Sequence, residues 1–226
     1  MTEIAGQVDL PKSTVSRLLA TLENLEVVER ASNAEGFRIG SGTVALASGV
    51  LYTQYLLTLA RPYLIELAQA TDEAVSLCLP NKNQAYVVAQ FQSPHHVQVR
   101  DWTGYRLPLH ATSAGQILLA YWPENLLESY LTQPLERLTL KTITTPDKLR
   151  QRLTTVRQQG YAWAYEEYGN GVSGVASAVK IGDGQVVAAV NVFGPTSRFP
   201  QEGTENEIAR LVVEAGHKIA ERIAVY

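Results

Sequence analysis

Lys12-Ser13-Thr14 and Ser16-Arg17 bring two cations and three hydroxyls together within six residues. Hydroxyls in such a cluster can hydrogen-bond base edges or phosphates, and an arginine can fork to guanine or to a phosphate. Arg38 offers one more cation for a phosphate or the minor groove. The local charge pulls the other way, because residues 1–50 hold four cations against six carboxylates. On these residues alone, a helical hairpin with a solvated polar face stands beside nucleic-acid recognition as a reading.

Other residue types invite catalysis or metal binding and are set aside on spacing. Glu166 and Glu167 are adjacent. On a strand they point to opposite faces, so they cannot flank one bond as a glycosidase pair does. The glycine-rich run 169–174 lacks the lysine followed by Ser or Thr that a phosphate loop needs. Gly171-Val172-Ser173-Gly174-Val175 has the wrong glycine spacing for a nucleophile elbow. His95 and His96 are neighbours and face apart on a strand, His110 reads as a satisfied loop or core histidine, and His217 reads as a surface residue. Cys78, the one cysteine, excludes an intrachain disulfide and a multi-cysteine zinc site, and fits a small core residue in a reducing compartment. No catalytic residue, metal ligand or cofactor is assigned.

The elements that must position these residues fall into two textures. A chain of 226 residues has room for one large unit and a small module. Its 46% hydrophobic and 18% charged residues are globular, and a net charge of -3 gives no overall basic footprint. No secretory leader is visible, so the cytoplasm is expected. Residues 39–60 carry no charge but include six Ser, Thr or Gln residues and three glycines, which favours a buried or interdomain helix over a membrane span.

Early in the chain, Ile4, Ala5 and Val8 lie at helical spacing, Asp9-Leu10-Pro11 breaks the pattern, and Pro11 suits the first position of a second helix. That helix carries a stripe of Val15, Leu18, Leu19 and Leu22 opposite Lys12, Ser13, Ser16 and Arg17. Residues 27–30 and 37–39 read as short strands, with a turn at Asn33-Ala34-Glu35-Gly36. Together these make a winged helix-turn-helix pattern, whose second helix fits a major groove. Residues 42–71 read as helix broken near Arg61-Pro62. Beyond them, 74–79, 84–92, 96–100, 161–166, 172–180 and 185–194 read as antiparallel strands, with a Gly182-Asp183-Gly184 turn. Helices are expected at 112–121, 124–131, from Thr145-Pro146 to a stop at Gly160, and after a Thr204/Glu207 capping box. The fold class is α+β.

Three ordered motifs carry a resemblance. Thr2-Glu3-Ile4-Ala5, Leu10 through Leu22 and Phe37-Arg38-Ile39-Gly40 closely resemble the DNA-binding module of the IclR family of bacterial transcription regulators. Leu107-Pro108-Leu109-His110-Ala111-Thr112-Ser113-Ala114-Gly115 resembles that family's entry to its effector pocket. Gly160-Tyr161-Ala162, Glu166-Glu167 and Gly171-Val172 through Ala176 and Val179 resemble its C-terminal signature.

The resemblance implies a winged helix-turn-helix at 1–40, a linker helix at 41–53 and a GAF-like effector domain with a curved antiparallel sheet at 54–226. It implies a homodimer or dimer of dimers on a near-palindromic operator in double-stranded DNA, with Lys12, Ser13, Thr14, Ser16, Arg17 and Arg38 as DNA contacts. It places Val99, Leu107, Ser113, Ala114, Ala164, Val172, Gly174, Asn191 and Phe193 around a small-molecule effector. Ala164, Gly174, Asn191 and Phe193 stand where members that bind small keto acids have an aspartate, a cysteine and two serines. That exchange predicts a larger, flatter ligand such as an aromatic acid, held by its carboxylate at the helix start after Thr112. Trp102, Trp163 and Tyr165 could add aromatic surface. Family members carry a further helix before the module. The chain begins after that position, so the alternative is a ligand-binding oligomer that has lost DNA binding.

Overall fold

The computed structural model describes residues 2–30, 36–182 and 184–224. The chain forms two compact units, Met1–Tyr55 and Leu56–Tyr226. Asn33, Ala34 and Glu35 of the first expected turn, and Asp183 of the second, lie outside the described residues.

In the first unit, α1 (Thr2–Gln7) and α2 (Lys12–Asn24) precede a two-stranded ribbon of β1 (Val28–Arg30) and β2 (Phe37–Ile39). The ribbon is antiparallel, with Glu29 opposite Arg38. Its core is small: Ala5, Val15 and Leu19, with Ile4 and Phe37 against them. Two details differ from the sequence pattern. Pro11 sits one position earlier than expected, as the N-cap, where its carbonyl accepts from Thr14 and Val15. Leu18 is 51% exposed, so the buried stripe narrows to Val15 and Leu19 four residues apart. So small a core has room for a single column of side chains.

Helix α3 (Gly42–Thr71) begins in the first unit and ends in the second. The expected break at Arg61-Pro62 is absent, because Pro62 lies inside the helix. Proline removes one rung of the ladder. On either side of it Leu56, Ala60, Leu64 and Leu67 are buried in one cluster with the sheet. That packing holds the helix through the lost rung.

The second unit is built on six antiparallel strands curled into a half-barrel, in the order β5-β4-β3-β8-β7-β6. They are β3 (Ala74–Asn81), β4 (Gln84–Phe91), β5 (Arg106–Pro108), β6 (Tyr161–Tyr165), β7 (Val172–Ile181) and β8 (Gln185–Pro195). The two faces of the sheet differ in residue size. Val75, Leu77, Val175, Val179, Val190 and Val192 pack with α3 and with α7 (Glu205–Ala224). Cys78, Ala85, Ala162, Ala176, Ala178 and Ala189 face α4 (Ser113–Ala120), α5 (Glu124–Leu131) and α6 (Pro146–Gln159). Small residues on the second face let α4 approach closely. The helix is also tight against the segment that leads into it, since a Cβ on Gly115 of α4 would stand 2.4 Å from the Leu109 carbonyl oxygen.

Four local expectations are corrected. Residues 96–100 form no strand: 95–98 and Arg100 are exposed, so alternation there buries nothing, and β5 takes the edge beside β4. Strand β6 stops at Tyr165, because Glu166 takes a left-handed backbone with φ 55°. The Thr204 hydroxyl donates to the Gln201 carbonyl in place of the expected capping box. Thr145 occupies the N-cap of α6 without a side-chain cap bond, while Gly160 ends that helix at φ 83°.

Among the described residues, no helix is long and apolar enough to cross a membrane. Among them there is also no group of three or more His, Cys, Asp or Glu side chains able to hold a metal ion.

Candidate functional site

Two places bring candidate residues together, one in each unit. On α2, Lys12, Ser13, Thr14, Ser16 and Arg17 are all exposed, while Val15 and Leu19 turn inward. Lys12 and Arg17 make no ion pair among the described residues. The other cations of this unit are engaged. Arg38 pairs with Glu29 across the ribbon at 2.8 Å. Arg30 pairs with Glu23 at 3.1 Å and lies over the Phe37 ring. The helix face therefore offers two available cations and three hydroxyls, and the ribbon's Arg38 must exchange a carboxylate for any phosphate.

In the second unit, a cavity of about 60 Å³ opens on the small-residue face of the sheet. Eight of the nine positions expected from the sequence to surround a small molecule line it: Leu107, Ser113, Ala114, Ala164, Val172, Gly174, Asn191 and Phe193. Val99 does not, since it lies in the segment that forms no strand. The sequence reading missed Ser76, Tyr168 and Ser173, and of the three aromatic residues it offered as added surface Trp102 lies in the lining. Trp163 and Tyr165 stack on each other, 5.2 Å between centroids, and are not part of the lining. Thr112 caps α4, its hydroxyl accepting from the Gly115 amide at 3.1 Å. The amides of Ser113 and Ala114, at the first two positions of the helix, have no acceptor within it.

A polar chain crosses the lining. The Ser113 hydroxyl donates to Asn191 Oδ1 at 2.7 Å, and Asn191 Nδ2 donates to Ser76 Oγ at 3.4 Å. Ser76 then meets the Cys78 sulfur at 3.8 Å. Burial pushes the Cys78 thiol up to about 12, so it is a neutral wall atom and no nucleophile. Gly174 keeps two wall residues close together. A Cβ there would lie 3.1 Å from Phe193 Cβ and 3.2 Å from Ser113 Oγ.

Glu166 and Glu167 stand apart, for a reason other than strand alternation. Glu166 pairs with Lys141 and accepts from the Gly171 amide, and the lysine hydrogen bond holds its carboxyl below the usual range. Glu167 is buried, 4% exposed, and accepts from Gln116 Nε2 at 2.6 Å and Arg152 Nη1 at 2.8 Å. Burial pushes its carboxyl up against the pull of Arg152. This pair ties α4 and α6 to the turn that carries Tyr168. His110 is buried, with its ring against the Tyr130 hydroxyl at 3.1 Å and the Glu136 carbonyl at 2.9 Å. His95, His96 and His217 are exposed.

Comparison with known proteins decides what these two places belong to. The family model for the C-terminal domain of IclR bacterial transcriptional regulators matches residues 48–221, and the IclR helix-turn-helix model matches 1–32. The chain belongs to the IclR family. Its activity is transcription regulation rather than catalysis. It is 34% identical over 200 residues to the transcriptional repressor AllR of Klebsiella pneumoniae, covering 88% of this chain and 74% of that one. It is 32% identical over 203 residues to AllR of Salmonella paratyphi A, covering 89% and 75%. The crystal structure of Thermotoga maritima IclR superposes with a TM-score of 0.72 at 25% identity, covering 98% of this chain and 90% of that one. These IclR relationships span both units, so the helix face and the cavity belong to one regulator architecture.

Proposed function

We propose that this IclR-family chain binds an operator through α2 and tunes that binding through a small organic acid in the cavity. Residues 1–40 would read DNA, 41–53 would link, and 54–226 would sense. Lys12, Ser13, Thr14, Ser16, Arg17 and Arg38 would contact the duplex. Two copies, or a pair of dimers, would place paired α2 helices on a near-palindromic site in the cytoplasm. The carrying observation is the cavity wall, where the Ser113–Asn191 hydrogen bond and the first residues of α4 stand in a lining that is mostly apolar. Amides and the positive end of a helix favour a carboxylate, and the apolar walls favour a carbon body. The acid must bind the DNA-competent and DNA-incompetent states unequally to regulate.

An aryl acid is a second reading, favoured by Phe193, Trp102 and Tyr168 in the lining. The volume of about 60 Å³ favours a compact acid, since a void of ~150 Å³ is the size known to take a benzene ring.

Calorimetric titration with pyruvate and with benzoate tests both readings, alongside binding of the protein to its own upstream DNA with and without each acid. A heat of binding that accompanies a change in DNA affinity is the expected result. No binding of either acid would overturn the acid-sensing reading. Gly174→Leu is expected to fill the cavity and weaken the bound acid by about tenfold or more, with DNA binding retained. Unchanged acid binding in that variant would place the ligand elsewhere.

A further inference from the structure

The residue with the largest side chain in the cavity lining is Trp102, and no sequence motif marks it. Several contacts hold it. Its backbone N–H donates to Gln90 Oε1 at 2.9 Å, and Gln90 Nε2 donates to the Arg100 carbonyl at 3.3 Å. The turn that carries it is docked on β4, where the Gly104 amide donates to Val87 O and the Val87 amide donates to Tyr105 O. The Arg100 guanidinium lies 4.3 Å from the Trp102 ring centre and 4.4 Å from that of Tyr105. Tyr105 and Tyr168 meet the indole edge-on, at 5.5 Å and 5.3 Å. Cation–π and edge-to-face contacts of this kind favour one ring orientation. Tyr168 is steadied in turn, because Glu167 beside it is locked to Gln116 and Arg152.

We infer that Trp102 is the specificity-determining residue of the effector site, a fixed wall that sets the largest acid the cavity admits. The inference rests on the proposal that this cavity binds an organic acid. The wall is clamped from outside the cavity, by Arg100, Tyr105 and Gln90, so a ligand meets a preset surface. Ligand size is then read as steric exclusion, the repulsive half of specificity. Gly174 removes a side chain elsewhere in the lining, and Trp102 limits the space so gained.

The test titrates wild type and Trp102→Ala with pyruvate and benzoate by calorimetry. Circular dichroism and thermal melting check the fold, and Trp102→Leu serves as a milder variant should the alanine protein fail to fold. Wild type is expected to favour pyruvate. The variants are expected to raise the benzoate-to-pyruvate affinity ratio about tenfold or more, the scale on which pocket size discriminates. Arg100→Ala is expected to move the ratio in the same direction by a smaller factor, since it loosens the clamp without opening the wall. A ratio unchanged in folded Trp102 variants overturns the size limit while leaving acid sensing intact. A wild type that already prefers benzoate overturns it in the same way. Absence of binding by either acid in every protein overturns both.

Discussion

Replacing Arg152 with methionine is expected to lower unfolding free energy by about 2 kcal/mol, below the ~3–5 kcal/mol for breaking a fully buried ion pair, because Glu167 is buried while the Arg152 side chain is a third exposed. Arg152 Nη1 serves three acceptors at once: Glu167 Oε1 at 2.8 Å, Gln116 Oε1 at 3.1 Å and the Trp163 carbonyl at 3.0 Å. Methionine preserves the apolar stem and leaves Glu167, 4% exposed, with the Gln116 amide as its remaining side-chain donor. Urea denaturation of wild type, Arg152→Met, Glu167→Gln and the double variant reads the effect. The double variant is expected to recover part of the loss, because the stranded charge is gone.

The same carboxylate sets a pH signature. Burial raises the Glu167 carboxyl, so the native state keeps a proton to higher pH than the unfolded chain does. Stability contributed by this group is fully present below the ordinary carboxylate value of about 4.3. It declines as pH rises from there through the raised native value. Loss of Arg152 removes the chief downward pull, so the decline should extend to higher pH in Arg152→Met. Glu167→Gln should abolish it. A wild-type stability profile that instead falls as pH drops through this window, and is unaltered by Glu167→Gln, would contradict the assignment.

What the sequence disclosed, and what it hid, follows from where the information is local. Helix α2 was legible because a Pro11 start and an apolar period of four suffice to define it, and the structure buries Val15 and Leu19 accordingly. The extra apolar positions at Leu18 and Val8 looked like core and are half or more exposed, since so small a unit has little interior to offer them. Eight cavity residues came from family resemblance, not from spacing. They sit on five separate elements and connections, and no periodicity joins Leu107 to Asn191. Val99 lies outside the cavity lining for a traceable reason. Val97 and Val99 alternate with polar residues as strand residues do, yet the edge beside β4 is occupied by residues 106–108. The turn that replaced that strand is what delivers Trp102. Glu166 and Glu167 were correctly kept from a shared role on a mistaken premise. A left-handed Glu166, and not strand alternation, sends one carboxylate to Lys141 and the other inward.

The other large effect concerns DNA. Arg17→Ala is expected to weaken binding to the upstream duplex by about ten- to a hundredfold, the cost of one arginine contact to a base or a well-placed phosphate. The argument is one of availability. Among the four cations of residues 1–50, Arg30 and Arg38 are held by Glu23 and Glu29, whereas Arg17 and Lys12 make no ion pair among the described residues. In a module with more carboxylates than cations, each uncommitted charge carries a large share of the attraction. Fluorescence anisotropy on the upstream duplex and on a shuffled one, at several salt concentrations, separates the two roles. A base contact loses affinity for the first duplex far more than for the second. A phosphate contact weakens both and flattens the slope of log affinity against log salt by about one. Lys12→Ala is expected to behave in the second way. Glu29→Gln frees Arg38 from its 2.8 Å pair, so it should tighten both duplexes and steepen that slope. Acid binding in the cavity should be unchanged in all three variants. If Arg17→Ala instead lowers acid affinity and thermal stability together with DNA affinity, the residue is structural and α2 is not the reading surface.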